Sequence, residues 1–325
     1  MIFTSRTVVS LVVLVGATAA IFLWRQKRGR SRAASLYDTV PLPAVSFLRL
    51  GDFDDLFALS GVPKKEWKLS GSSYNKNLSA DSSHFKLVMA LLVQLDGKLL
   101  ADAVVSVYGV VNPQIATNFE GYRGVLQRRY TQDPHLFKKD DWMKADRSDL
   151  RSWVSHSFIT LAQKYRWNTI TETVPIIPVV HGTDCAIAWK ILDTGFCALS
   201  SLDAGFYGRG IYFSSSAQYT LPYYSAKPNP CLILCLAIPG NIYPVVEDRM
   251  EVKSLLGTPI KAGYQSNYVL TTKDGNPCKQ RMPTGSFYDE LVLDQEAQVV
   301  PIAIIEFDPV KLAPFARNFQ REIAV

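Results

Sequence analysis

The chain has 325 residues, 48% of them hydrophobic, which is enough apolar material for the core of one or two domains. Its formal charge of +6 is confined to the first 32 residues, which hold six Lys/Arg and no acid, while the remaining 29 Lys/Arg balance 29 Asp/Glu. The balanced remainder gives no electrostatic footprint for nucleic acid, and five cysteines without a C-x-x-C pair beside four scattered histidines give neither a metal-ligand spacing nor a disulfide framework.

Residues 1–6 form a short tail, and Thr7 to Trp24 form an unbroken uncharged run rich in Val, Leu and Ala. As a helix this run would span about 27 Å, close to the thickness of a bilayer's hydrocarbon core. A cleaved signal peptide ending near Ala17-Thr18-Ala19 is the rival reading, but Ile21-Phe22-Leu23-Trp24 carries the apolar run past that point. Only Arg6 precedes the run, whereas Arg25, Lys27, Arg28, Arg30 and Arg32 follow it. This asymmetry predicts a single-pass membrane anchor over residues 7–24 with the rest of the chain in the cytosol. An odd cysteine count without a framework suits that reducing compartment. Residues 25–83 read as a basic flank followed by a stalk or small packed extension, with Pro41, Pro43, Pro63 and a polar stretch from Ser70 to Ser83. Within it, Asn77-Leu78-Ser79 is a glycosylation sequon, whose use would place the domain in a lumen instead.

Apolar density rises from Phe85 onwards. Val104-Val105-Ser106-Val107-Tyr108 predicts a buried strand, Asn112-Pro113 a turn, and Ile115, Phe119, Tyr122 and Leu126 a helix after it. Leu150, Trp153, Val154, Phe158, Leu161 and Tyr165 fall on one face of a further helix, within a stretch of about 131–175. Pro175 to Val180 predicts a strand that runs into His181-Gly182-Thr183; Ile187, Ile191 and Leu192 predict a short helix stopped by Gly195. Gly205, Gly208 and Gly210 lead into the strand Ile211-Tyr212-Phe213. Glycines so placed permit positive φ and close approach of backbone to a ligand. Because this loop opens a strand and not a helix, a phosphate-cradling loop at a helix N-terminus is set aside. Cys231 to Cys235 predicts another buried strand, and Tyr288 to Leu293 and Val299-Val300-Pro301 follow turn signals at Pro239-Gly240 and Asp274-Gly275. Short strands with few helices predict an α+β domain with a mixed, mostly antiparallel sheet.

Val180-His181-Gly182-Thr183, Gly208-Arg209-Gly210-Ile211-Tyr212-Phe213 and Tyr288-Asp289-Glu290-Leu291-Val292-Leu293, in this order and spacing, resemble the catalytic domain of the poly(ADP-ribose) polymerase family of ADP-ribosyltransferases. The resemblance runs from about Val104 to about Phe307. It implies a split-sheet ADP-ribosyltransferase domain over residues 84–312, with flanking helices and an inserted helix at about 131–175, and a C-terminal tail over 313–325. It implies the family's His-Tyr-Glu triad at His181, Tyr212 and Glu290, NAD as substrate and no metal. In that frame His181 meets the adenosine ribose, Gly182 and Ser216 hold the nicotinamide carboxamide, and Thr183 belongs to the same cofactor-binding motif. Tyr212 and Tyr219 hold the nicotinamide ring, with Tyr223 a competitor for Tyr219's place, and residues Ala198 to Ala204 form the loop over the NAD pocket. Glu290 binds the 2′-hydroxyl of the nicotinamide ribose and steadies its developing positive charge.

Two departures from the family pattern point to transfer of single units. Ser215 stands where many polymerising members carry a basic residue, and nothing resembles their regulatory helical domain or DNA-binding modules. The expected function is therefore a membrane-anchored, NAD-dependent mono-ADP-ribosyltransferase acting on a protein. The alternatives are a catalytically silent NAD or ADP-ribose binding module on a membrane tether, and a lumenal or secreted transferase.

Overall fold

The apolar runs near residues 104, 177, 231 and 299 become neighbouring strands of one sheet, and that pairing sets the frame of the molecule. The structure, a computed structural model, describes residues 67–133, 140–165, 174–196 and 205–320. The anchor expected at 7–24, the basic flank and the loop Ala198 to Ala204 lie outside the described residues. Among the described residues no helix is long and apolar enough to cross a membrane.

The first sheet is antiparallel throughout, in the order β1 (Lys68–Ser70), β2 (Ser73–Asn77), β3 (Val104–Val111), β10 (Val299–Phe307), β6 (Pro230–Ala237), β4 (Ile177–Asp184). All of β6 is buried, as is β10 from Val299 to Ile305. That is why these two strands read as continuous apolar runs and not as alternating ones. The second sheet has the order β5 (Ile211–Phe213), β9 (Tyr288–Leu293), β8 (Ser266–Thr271), β7 (Ile242–Val245), antiparallel except for the parallel pair β7–β8. The two sheets meet where Val180 and Ser214 exchange both backbone hydrogen bonds, at 2.9 and 3.2 Å. The expected mixed, mostly antiparallel architecture with flanking helices is thus the one observed.

The helices are α1 (Ser83–Leu92), α2 (Pro113–Gln132), α3 (Ser148–Lys164), α4 (Cys185–Thr194), α5 (Leu221–Tyr224) and α6 (Pro309–Gln320). Helix α2 starts where Asn112 accepts from the amides of Gln114 and Ile115, at 3.0 and 3.2 Å, with Pro113 in the first turn. Helix α4 starts on Asp184, whose Oδ1 accepts from the Ala186 amide at 2.9 Å, and stops at Gly195 with φ 87°. Helices α2 and α4 lie against β10 and β6.

Two stretches outside the expected domain of 84–312 pack with it. Of the segment read as a stalk or packed extension, residues 68–77 hold β1 and β2, and β2 pairs with β3 from Tyr74↔Val111 to Asn77↔Tyr108. The hairpin is locked onto the end of α4, with Ser73 Oγ donating to Asp193 Oδ1 at 2.8 Å and Ser72 Oγ to the Asp193 carbonyl at 2.6 Å. The hairpin forms the sheet's margin, with β1 at the edge, and its side chains are mostly exposed or half-buried, so its sequence carries no core signature. At the other end, the tail expected over 313–325 is, to Gln320, the last part of α6, which buries Leu312, Ala316 and Phe319.

Helix α3 is the helix expected within residues 131–175, and it packs on β7 and β8. Phe158 meets Tyr268 edge-on at 5.2 Å, but the polar lock is Arg151 with Glu247. These groups lie 2.5 Å apart, with side chains 3% and 8% exposed. The guanidinium also donates to the carbonyls of Pro244 (2.7 Å) and Asp146 (3.1 Å). Burial works against ionisation of Glu247, yet the hydrogen bonds from Arg151 and from the Val246 amide outweigh it and lower its pKa below the ordinary 4.5. A depressed carboxylate contributes stability that is fully present above its unfolded pKa and is lost as pH falls through the folded value. We therefore expect Arg151→Met, which strands a buried carboxylate, to cost roughly 3–5 kcal/mol in urea denaturation at neutral pH. Glu247→Gln should flatten part of the wild type's decline in stability below pH 4.5.

Candidate active site

Strand β4 delivers His181 beside the junction of the two sheets, and the Val180–Ser214 bridge brings the end of β5 alongside it. His181 Nδ1 lies 3.0 Å from the carbonyl oxygen of Tyr212. A carbonyl can only accept, so Nδ1 carries the proton. The ring sits against Phe196 and Phe213, with centroids at 5.4 and 5.7 Å. This burial lowers its pKa, the carbonyl pulling only partly the other way. The imidazole is then neutral at physiological pH, with Nε2 as an acceptor.

Tyr212 is tied into the glycine loop that precedes it. Its hydroxyl accepts from the Tyr207 amide at 2.9 Å and donates to the Gly208 carbonyl at 2.7 Å. Gly205, at φ 61°, has no room for a side chain: a Cβ there would sit 2.4 Å from the Gly208 carbonyl and 2.9 Å from the Tyr212 hydroxyl. A Cβ on Gly210 would sit 2.4 Å from the Leu293 carbonyl in β9. The glycines expected to let a ligand approach thus serve first to let the loop close on Tyr212 and β9.

Glu290 lies in β9 and is 6% exposed. In the β5–β9 register Tyr212 faces Val292, so Tyr212, Val292 and Glu290 share one face of the second sheet. Its neighbour Asp289 points to the other face and accepts four hydrogen bonds. They come from Ser214 Oγ (3.0 Å), the Ser215 amide (2.7 Å), Ser215 Oγ (2.6 Å) and the Tyr268 hydroxyl (2.9 Å). Sequence reasoning singled out Ser215 only for not being basic and gave Asp289 no role beyond its place in the strand Tyr288 to Leu293. The clamp that joins them was missed, and only the alternation of β9 hints that Asp289 faces away from Glu290.

Beside Glu290 is a cleft of about 70 Å³, with Phe206, Tyr207, Tyr223, Asp248 and Arg249 among its lining. Phe206 and Tyr223 are 45% and 55% exposed, and the Arg249 guanidinium lies 4.9 Å from the centre of the Phe206 ring. The Tyr207 hydroxyl donates to the Gly275 carbonyl at 2.5 Å, tying the turn before β9 to the glycine loop. A cavity this small takes a ring-sized fragment; a dinucleotide needs the rim to open.

The remaining expected site residues fall in different places. Ser216 Oγ donates to Asp96 Oδ2 at 3.1 Å and accepts from the Tyr219 amide at 3.2 Å. Gly182 packs against the Tyr224 ring, 2.5 Å from where its Cβ would be, and near the Thr220 carbonyl at 3.2 Å. Thr183 is buried opposite Cys231. Tyr219 is 3% exposed and stacks on Tyr288, with centroids 5.4 Å apart and planes at 24°. Its hydroxyl donates to Glu290 Oε1. Of the two tyrosines that could form a stacking platform, Tyr223 is the exposed one, at 55% against 3% for Tyr219, whose ring lies on Tyr288.

No family model matches the chain, and no characterised protein matches it.

Because Asp289 satisfies donors from β5's exit, β8 and a backbone amide together, Asp289→Ala should destabilise the protein by at least about 3 kcal/mol in urea denaturation, several buried donors losing their acceptor at once. A loss under about 1 kcal/mol would mean that water replaces the carboxylate and that the clamp does not hold the sheets together.

Proposed function

We propose that the chain is an NAD-dependent ADP-ribosyltransferase that passes single ADP-ribose units to a protein and releases nicotinamide. What carries the reading is one arrangement. A buried carboxylate and Tyr212 share a sheet face beside a cleft lined by exposed aromatic side chains, and a neutral histidine bonds to the backbone of that same tyrosine. The resemblance of the three sequence motifs supplies the reaction to which this arrangement is fitted.

In that reaction the bond between the nicotinamide nitrogen and ribose C1′ breaks, and its electron pair leaves with the nicotinamide. The ribose passes through an oxocarbenium-like state of the kind met in glycoside cleavage. The acceptor's nucleophile then bonds C1′ and gives up its proton. The Glu290 carboxylate stabilises the cation, in a site shielded enough for one charge to count. His181 Nε2 accepts from a ribose hydroxyl, the role left to it once Nδ1 is committed to the Tyr212 carbonyl. Tyr223, 55% exposed at the cleft, offers the stacking face for nicotinamide. Ser215, spent on Asp289, places no cation where a second ADP-ribose would be gripped, which favours single-unit transfer. The anchor at residues 7–24 holds the enzyme to a membrane with the domain in the cytosol.

One observation favours a second reading, a silent NAD or ADP-ribose binding module: the cleft is narrow, and the Glu290 carboxylate is already engaged by Tyr219. Single-turnover nicotinamide release by the full chain in detergent, paired with NAD calorimetry, separates the two. Glu290→Gln should lower release by roughly two orders of magnitude or more with a far smaller change in NAD affinity, since positive charge moves onto the ribose beside its carboxylate only as the bond breaks. Tyr223→Ala should weaken NAD binding about tenfold while turnover at saturation changes far less. Wild type that binds NAD and never releases nicotinamide is the silent module. For topology, a C-terminal tag should be digested when protease is added to sealed membranes; a protected tag or a used Asn77 sequon places the domain in the lumen.

A further inference from the structure

We propose that Tyr219 is a positioning residue that holds the Glu290 carboxylate in its working orientation. The inference rests on the transferase reading and deepens it, moving Tyr219 from the nicotinamide ring to the carboxylate.

The donor is itself fixed at several points. Its ring lies flat on Tyr288, which in turn contacts Phe319 of α6 at 5.8 Å. Tyr288 and Glu290 are two residues apart in β9 and therefore share a face, so one ring stacked on the first reaches the second with its hydroxyl. The backbone of Tyr219 is held too. Its amide donates to Ser216 Oγ at 3.2 Å, and that hydroxyl donates to Asp96. The Ala217 amide donates to the Leu95 carbonyl at 2.6 Å, and Gln218 Nε2 to the Asp96 carbonyl at 2.9 Å. Asp96 stands at φ 61°, in the kink that ends the α1 region. A short turn pinned at both ends thus presents one hydroxyl to one carboxylate oxygen.

Such a hold is useful because a carboxylate on two rotatable bonds has several orientations, and only those aimed at C1′ and its neighbouring hydroxyl stabilise the cation. Burial, followed by the nearby Glu290 charge, pushes the Tyr219 hydroxyl well above its ordinary pKa, so it remains a donor across the working range. The orientation is then set before substrate arrives and costs nothing during the reaction.

Tyr219→Phe keeps the ring and its stacking and removes only the hydroxyl. In the full chain it should lower kcat for nicotinamide release by about 10- to 100-fold, the scale of a misplaced catalytic group, with KM for NAD within about twofold. In a Glu290→Gln background the same change should cost little more, because the group it positions is already gone. An unchanged kcat overturns the proposal. Equal losses in both backgrounds overturn it as well, since a merely structural role adds independently even if the variant melts lower. A raised KM with intact kcat overturns it too, since the hydroxyl would then serve ground-state binding of NAD and not the orientation of the carboxylate. If wild type releases nicotinamide and Glu290→Gln does not, while Tyr219→Phe behaves as wild type, this inference alone fails and the transferase reading stands.

Discussion

The backbone pairing of Val180 with Ser214 is the constraint on which the candidate site depends. Among the described residues, two backbone hydrogen bonds pair one sheet with the other, and they do so one residue before His181 and two residues after Tyr212. Histidine and tyrosine come from different sheets, so no rearrangement within either one could bring them together. The contact from His181 Nδ1 to the Tyr212 carbonyl extends the same junction by one side chain, and it settles the imidazole's tautomer in doing so. Asp289 reinforces the junction from the opposite face by accepting from Ser214 and Ser215 just beyond β5.

Adjacent acids in β9 therefore have opposite duties because a strand alternates its side chains. Asp289 spends its oxygens on internal donors and works as a fastener. Glu290, on the face shared with Tyr212, stands beside the cleft with one tyrosine hydroxyl on it. The division is economical, since the donors that Asp289 satisfies come from the chain's exit after β5 and from β8. The strand that carries the candidate catalytic carboxylate is thereby fixed against both neighbours of the site.

Polar locks recur wherever a peripheral element must sit in one place. Arg151 and Glu247 dock α3 on the second sheet, and Asp193 receives the β1–β2 hairpin at the end of α4. In each case apolar packing would allow the element to slide, whereas a buried charge or hydroxyl leaves its partner unsatisfied if it does. The hairpin lock lies next to Gly195 and Phe196, the latter in contact with His181, so the first described strands are tied to the same end of β4 that bears the site.

The sequence alone determined the order of the elements and the segments that carry His181, Tyr212 and Glu290. Buried strands announce themselves as apolar runs, and helix α2 is announced by Asn112-Pro113, because those signals are local. It could not reveal β1 and β2, a hairpin at the sheet's margin that asks for little beyond backbone pairing, or the Asp289 clamp, whose Ser214 and Ser215 donors are more than seventy residues away in the chain. Tyr219 and Tyr223 are the sharpest case. They stand one helical turn apart in an aromatic stretch, and either could face the cleft on pattern alone. Tertiary structure decided between them, because the turn at Ser216 is anchored to Asp96, 120 positions earlier, and that anchor aims Tyr219 inward at Glu290 while Tyr223 is left at the rim. A long-range hydrogen bond of this kind leaves no periodicity to read.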